Sequence, residues 1–511
     1  MLDHSERRNS HIAVLLLILI SAAALRIYHL GSNSLWEDEY FSVECSSGWG
    51  RTDMHLKPSQ VVPDLISLRN ARPVWSIWSS IARDENHPPL YFILLRFWRE
   101  MFGDSAVALR SLSVVGSLLG IAFLYFVGEV AIGPGVALWA CAMMAVAWPQ
   151  IQEAQEARVY ALVTADALLC LLALVRIRRF GVTGFRIVWL FTTALALPLM
   201  HYLSATTLLA MVVYAAIGLR GPTRRSVLGC FAAVFVAYAI LWGPQLLGQR
   251  HIIATGTSWL IDTSKHPLLE TMESLAGICV RFLVEPRIGK MAAVAGGVAA
   301  LIVPPVLFRR IPQLLLWWLW LVFPIAAVLL IDLFFHRRSL GLVKYTLAAA
   351  PALYVMIGML AVSRIWSGAW VRGAVASIPA LAILCCLLCL PDVYTTDMPD
   401  WREFARFVRS ASAPSQPIVF VGRDLQVDGF SALGLSYNLA GSGSPFIILD
   451  DYPTPRFFAS LNGARQVCLI GGEDLSSIRL PAGAKMVHAE GFPLLGIAWK
   501  VTLPQVISQA N

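Results

Sequence analysis

Stretches of about 20 predominantly apolar residues recur along the first four-fifths of this 511-residue chain, each long enough to cross the hydrocarbon core of a bilayer as a helix. They lie near 12–30, 106–131, 135–150, 159–175, 187–201, 203–219, 227–247, 291–308, 313–333, 343–362 and 373–391. The fold class expected from them is a polytopic α-helical membrane protein with about eleven transmembrane helices. Composition agrees: 57% of the residues are hydrophobic and 14% are charged, against about 25% charged in an ordinary soluble domain.

The formal net charge of +8 raises the question of a nucleic-acid partner. Residues 399–511 hold nine Lys/Arg and nine Asp/Glu, so the whole excess belongs to residues 1–398. A basic excess confined to membrane loops is what the positive-inside rule produces, and no nucleic acid is expected. With Arg7 and Arg8 on the cytoplasmic side, the even turns carry Arg176/Arg178/Arg179/Arg186, Arg220/Arg224/Arg225, Arg309/Arg310 and Arg364/Arg372. Arg7/Arg8, an apolar stretch and Ala22-x-Ala24 also resemble a signal peptide with its cleavage site; the expectation is a retained first span.

The outer side then receives a long first loop (31–105), a turn near Glu153–Arg158, a turn at His201, a loop at 248–290, the segment His336–Lys344 and the C-terminal tail. One outward cluster, His336-Arg337-Arg338 with Lys344, breaks the charge rule. Its cations either snorkel at the interface or bind an anionic head group. The nine cysteines form no pattern. Cys385-Cys386-x-x-Cys389 lacks His or acidic neighbours, and such thiols in apolar runs behave as small hydrophobes.

After Pro391 the composition becomes that of a soluble domain. Trp401, Phe404, Ala405 and Val408 fall on one face of an amphipathic helix. Short strands are expected at Ile418–Gly422, Phe446–Asp450, Val467–Gly471 and Ile497–Leu503, with turns such as Gly441–Pro445 between them. The expected division is a transmembrane domain, 1–398, and a small extracytoplasmic α/β domain, 399–511. Gly471-Gly472-Glu473-Asp474 lacks dinucleotide-binding or Walker spacing and is taken as a turn.

Chemistry concentrates at one membrane surface. Glu37-Asp38-Glu39 follows the first span between Trp36 and Tyr40; repulsion and partial desolvation raise the pKa of at least one such acid, which suits a general base. A solvated acidic turn is the plainer alternative. His87, fixed by Pro88-Pro89, is either a metal ligand beside an acid or a hydrogen-bonding loop residue. Glu156 and Arg158, at the entrance to the fourth span, either neutralise each other or line a cavity, and His201-Tyr202 joins them on the same face.

These elements, in this order, resemble the bacterial branch of glycosyltransferase family 39, the protein mannosyltransferase and lipid A aminoarabinose transferase type of the GT-C superfamily. Leu35-Trp36-Glu37-Asp38-Glu39 matches its Leu-Trp-x-Asp-Glu run, and His87-Pro88-Pro89-Leu90-Tyr91 its His-Pro-Pro-Leu-Tyr. Gly103, Arg110 and Ser113 follow in register, and Gln155–Leu162 matches Gln-Glu-Ala-Arg-x-Tyr-Ala-Leu without a gap. Lys344-Tyr345 with Pro351 looks like an Arg-Tyr-x-x-x-x-x-Pro phrase, and Asp400–Glu403 like the element opening the outer domain. The likeness covers about 30–410. Lys344 replaces the usual Arg, trading a planar fork for a point charge, and Glu37 adds an acid.

The resemblance implies a GT-C-like enzyme of the bacterial inner membrane. It would transfer a sugar from a polyprenyl-phosphate donor, with inversion and no nucleotide cofactor, to a lipid, protein or polysaccharide acceptor on the outer face. In that frame Asp38 is the general base and Glu39 supports it or holds a metal. Arg337, Arg338, Lys344, Tyr345 and Arg158 bind the donor phosphate, His87 and Glu156 complete a divalent-metal site, and His201 supports them. A flippase or transporter of a lipid-linked sugar also needs outward cations, but internal repeats or interrupted helices would be expected of it.

Overall fold

A computed structural model describes residues 4–50, 66–284, 290–363, 365–395, 400–412, 415–422, 434–439, 443–449, 451–461, 463–471, 475, 478–492 and 496–504. Each of the eleven apolar stretches forms a helix, as it must where lipid offers no partner for backbone N–H and C=O groups. Seven are long and apolar enough to cross a membrane: Arg8–Ile27, Ala106–Ala131, Tyr160–Phe180, Gly221–Leu241, Leu314–Phe335, Val343–Val362 and Ala369–Tyr394. Pro134–Val146, Gly184–Met200, Ser204–Gly218 and Ala293–Leu307 are shorter. At about 1.5 Å per residue these four reach roughly 20–26 Å, so among the described residues seven helices have by themselves the length and apolarity of a crossing.

The chain forms two compact units. The first comprises Met1–Leu30, Glu85–Tyr91 and Leu109–Thr396; the second comprises Gly31–Asp84, Phe92–Ala108 and Asp397–Asn511. Residues 396–399, where the expected boundary falls, lie outside the described residues, as do Arg364, 441–442 of the expected Gly441–Pro445 turn, and 472–474 of the Gly-Gly-Glu-Asp stretch.

In the first unit the helix His4–Ile27 is tied to its neighbours by one fully buried guanidinium. Arg26 donates to Ser117 Oγ (2.8 Å), to the carbonyls of Ala145 (2.8 Å) and Met144 (3.2 Å), and to Ala22 one turn back (3.2 Å). The last carbonyls of Pro134–Val146 have no partners within their own helix, and Arg26 supplies donors to them. The N-terminal helix is therefore packed as a component of the bundle. Tyr160–Phe180 is the most enclosed of the long helices, with 78% of its apolar window buried, against 11% for Ala369–Tyr394.

The second unit joins the C-terminal segment to most of residues 31–108, whose described part holds the helices Glu37–Ser46 and Trp75–Asp84 and, from its third residue on, Leu90–Phe102. Leu90–Phe102 ends at Gly103, whose φ of +87° closes the helix while its N–H donates to Arg99 O (2.7 Å). The expected amphipathic helix is Trp401–Ala411, capped by Asp400, whose carboxylate accepts from the N–H groups of Arg402 (3.0 Å) and Glu403 (3.2 Å). It buries Trp401, Phe404, Ala405 and Val408, the four residues of the predicted face.

Beyond it lies a five-stranded sheet of β1 (Ile418–Val421), β2 (Phe446–Leu449), β3 (Gln466–Gly471), β4 (Lys485–Phe492) and β5 (Gly496–Thr502), ordered β2-β1-β3-β5-β4. β1 pairs parallel with β2 and β3, and β5 pairs antiparallel with β3 and β4. The central apolar strands were visible as continuous runs, as sheets covered on both faces require. β4 is the element not foreseen. It is an edge strand with a bulge between His488 and Glu490, and it lacks the apolar run that marks β1–β3.

Candidate active site

In the first unit, four separate segments bring charged and aromatic groups to one cleft. The turn before Tyr160–Phe180 is fixed from outside itself. Gln155 Nε2 donates to the carbonyls of Arg26 (3.1 Å) and Tyr28 (2.7 Å), and Ser113 Oγ donates to Arg158 O (3.0 Å). Glu156 and Arg158 are buried in this turn, and Tyr160 opens the helix that follows. Gln155 and Ser113 act as struts, a role that the sequence pattern did not reveal.

His201 caps the C-terminus of Gly184–Met200; its N–H donates to Leu197 O (3.0 Å), and its carbonyl accepts from Ser204 Oγ (2.7 Å). Its ring centre lies 5.5 Å from that of Tyr160 and 6.0 Å from that of His87. Lys344 and Tyr345 arrive on the 3-10 helix Val343–Ala349, which Trp320 Nε1 anchors by donating to Ala348 O (2.7 Å). Lys344 Nζ stands 5.8 Å from the Tyr160 ring centre and 5.9 Å from that of Tyr345, within cation–π range of both. Tyr160, His201, Thr207, Lys344, Tyr345 and Ala348 line a small cleft of about 20 Å³ that is partly open to the surroundings.

The electrostatics of the cleft favour an anion. Burial pushes the His201 imidazole down to about 4, and the charges of Arg158 and Lys344 add to the effect. His201 is therefore neutral at neutral pH, with the charges of Arg158 and Lys344 acting on one buried imidazole. Because its folded value lies below the free value of 6.5, the unfolded chain binds the extra proton first as the pH falls. Stability from this group is complete above pH 6.5 and declines between 6.5 and about 4, by on the order of 3 kcal/mol in full. Thermal melts in detergent should show this decline in the wild type and a shallower one in His201→Gln; identical slopes would remove His201 as its source.

Arg337 and Arg338 have other partners. Arg337 Nη1 donates to Thr257 O, Arg338 N donates to Leu260 O (3.0 Å), and Asp262 N donates to His336 O (2.9 Å). Asp262 itself lies below the usual carboxylate range, chiefly through hydrogen bonds from Ser264, with the charge of Arg338 contributing. The expected basic cluster is thus divided: Lys344 and Tyr345 line the cleft, and neither Arg337 nor Arg338 is among its lining residues. The division is made by Asp332, an acid inside the apolar helix Leu314–Phe335. Its carboxylate accepts from Ser339 N (2.8 Å) and Leu340 N (2.7 Å), turning the chain between the two groups. An acid in an apolar span was the available signal for it.

In the second unit Glu37, Asp38 and Glu39 form the first turn of Glu37–Ser46. Glu39 is fully buried, and its carboxylate accepts from Trp36 N–H (3.0 Å), so it caps this helix. Asp38 is half-buried, and its carbonyl accepts from Ser42 Oγ (3.0 Å). The acid whose proton affinity is raised is Glu37, by desolvation first and then by the charge of Asp38.

The expected metal site at His87 and Glu156 is not supported. Among the described residues no group of three or more His, Cys, Asp or Glu is placed to hold a metal ion, and His87 neighbours His201, a second imidazole, instead.

No protein-family model matches the sequence, and no curated protein matches it. Solved structures do. The chain is similar over 98% of its length, and 99% of the other chain, to ArnT from Cupriavidus metallidurans bound to undecaprenyl phosphate, with 12% identity and a TM-score of 0.58. It is also similar to the oligosaccharyltransferase of Archaeoglobus fulgidus, in a complex with Zn and sulfate, over 89% of this chain and 68% of that one (12% identity, TM-score 0.50). The archaeal oligosaccharyltransferase AglB from Archaeoglobus fulgidus, in complex with an inhibitory peptide and a dolichol-phosphate, aligns over 91% of this chain and 70% of that one (12% identity, TM-score 0.50). The chain has the fold of the GT-C membrane glycosyltransferases.

Proposed function

We propose that this protein is an integral membrane glycosyltransferase that moves a sugar from a polyprenyl-phosphate donor, such as an undecaprenyl-phosphate sugar, to an acceptor on the outer face of a bacterial inner membrane. The observation that carries this reading is the cleft lined by Tyr160, His201, Lys344 and Tyr345, where the charge of Lys344 and that of nearby Arg158 act on a neutral His201. The bound undecaprenyl phosphate of the ArnT neighbour adds to it. With the N-terminus cytoplasmic, all these segments face outward.

The chemistry follows from charge. Asp38 takes the proton of the acceptor hydroxyl, and the oxygen attacks the anomeric carbon from the side opposite the phosphate. The bond from that carbon to the phosphate oxygen breaks with its electron pair on the phosphate, so the anomeric configuration inverts. A phosphodiester with one negative charge becomes a phosphomonoester with two. The cations of Lys344 and Arg158 stabilise the charge that develops, where preorganised groups are most effective, and the Tyr345 hydroxyl donates to the phosphate. Glu39 holds the helix that carries Asp38. The reaction needs no nucleotide, and no step is assigned to a metal.

Purified protein in lipid vesicles with radiolabelled undecaprenyl-phosphate sugars tests the reading. Label leaving the lipid for a lipid, peptide or polysaccharide acceptor supports it; intact labelled lipid crossing the bilayer, with none transferred, would establish the flippase alternative instead. Arg337 and Arg338 stand in the proposal as a second cationic contact for the carrier phosphate. Neutralising both as Arg337→Gln/Arg338→Gln is expected to weaken undecaprenyl phosphate binding, and unchanged affinity would take them out of the site.

A further inference from the structure

Within the second unit, contacts from the C-terminal segment converge on the short stretch that carries the acids. Trp401 N–H donates to Ser34 Oγ (3.1 Å), and the Arg402 guanidinium donates to the carbonyls of Gly31 (2.9 Å) and Ser32. Six residues further on, Tyr40 is fully buried. Its hydroxyl accepts from Asn438 Nδ2 (2.8 Å), and its ring packs against Tyr437 at 5.5 Å. Tyr437 in turn donates to the carbonyl of Asp104.

Gly434 shows how close this packing is. A Cβ there would fall 2.8 Å from the Trp401 indole and 3.1 Å from the Tyr40 ring. Both rings are large and enclosed, so neither yields without moving its own helix.

We infer that the C-terminal domain is a positioning clamp for Asp38: Trp401 and Arg402 hold the stretch before it, and Gly434, Tyr437 and Asn438 hold the helix turn after it. Asp38 lies between the two grips, two residues before Tyr40 on the same helix. A domain that served only as a soluble appendage, or only to receive the acceptor, would have no reason to direct its contacts at both ends of residues 31–40. The orientation of a general base matters at the ångström scale, and a displacement of about 1 Å costs on the order of 10²-fold in rate. These residues act through Asp38, and the inference rests on the proposed role of that carboxylate.

The test uses full-length protein in lipid nanodiscs, with Gly434→Val to push the rings apart and Asn438→Leu to remove one hydrogen bond while keeping the volume. For Gly434→Val, kcat should fall by about tenfold or more, with the KM for the polyprenyl-phosphate sugar and the affinity for undecaprenyl phosphate within about twofold of wild type. Asn438→Leu should show the same pattern with a smaller loss. In an Asp38→Asn background either substitution should add nothing, because residues acting as a unit are not additive. A full multiplicative loss in that background, or a parallel loss of donor affinity, would overturn the clamp.

Hydrogen exchange supplies a readout independent of turnover. Amides of 31–46 should exchange faster in both variants while those of 153–160 do not; unchanged exchange over 31–46 overturns the clamp. Failure of the wild type to transfer sugar would refute the transferase reading, and with it the role of Asp38, whatever the exchange data show.

Discussion

Asp38→Asn is expected to lower kcat by about 10²–10⁴-fold, the usual contribution of a general base, with undecaprenyl phosphate affinity unchanged. The substitution keeps the side chain's shape and removes only its ability to accept a proton. Its helix should persist, because the cap comes from Glu39 and the first turn is held by the Ser42 Oγ bond to the Asp38 carbonyl. Glu37→Gln is the control, since Glu37 is the acid whose proton affinity is raised. It should leave kcat within a few-fold of wild type. If the two variants exchange phenotypes, the base is Glu37; if Asp38→Asn turns over at the wild-type rate, a carboxylate base at this position is excluded.

Lys344→Ala is expected to reduce undecaprenyl phosphate affinity by about 10–100-fold, since hydrogen bonds to charged groups contribute about 1.5–3 kcal/mol. Turnover should fall as well, because the phosphate is more negative as it leaves than before the reaction. Lys344→Arg should keep most of the affinity: the position between the Tyr160 and Tyr345 rings suits a guanidinium, which stacks on aromatic faces and binds phosphate with two parallel bonds. Titration of wild type and both variants with undecaprenyl phosphate separates the outcomes. A change of less than twofold in Lys344→Ala would remove this lysine from the phosphate site.

Sequence periodicity served well wherever the physics was local. All eleven apolar stretches became helices, and the face of Trp401–Ala411 matched residue for residue, because bilayer thickness and helical repeat act on single segments. The outward placement of Lys344, Arg158 and His201 could be proposed from charge alone, but their assembly around one imidazole depends on contacts between distant segments. Gln155 reaching the carbonyls of Arg26 and Tyr28 has no local signature at all. Residues adjacent in sequence take different positions in two places. Arg337, Arg338 and Lys344 are close in sequence, yet the Asp332 carboxylate turns the chain so that only Lys344 lines the cleft. Glu39, next to Asp38 in sequence, accepts from Trp36 N–H and caps the helix that carries both. Among the described residues of 31–105 three α-helices went unseen, because their apolar residues are too few to resemble spans.

The shortness of Pro134–Val146 has a consequence for how a lipid substrate is handled. Thirteen residues cover about 20 Å of a hydrocarbon layer about 30 Å thick. The chain continues through the one-turn helix Trp148–Gln152 and the turn containing Glu156 and Arg158, with all five residues from Pro149 to Glu153 buried or partly buried. Non-helical backbone is stable at membrane depth only where protein or a polar cavity surrounds it. If the missing third of the span lies within the layer, the leaflet beside the cleft is locally thinned. A prenyl chain could then present its phosphate to Arg158 and Lys344 while remaining dissolved among the acyl chains, without the cost of about 0.8 kcal/mol for each methylene drawn into water.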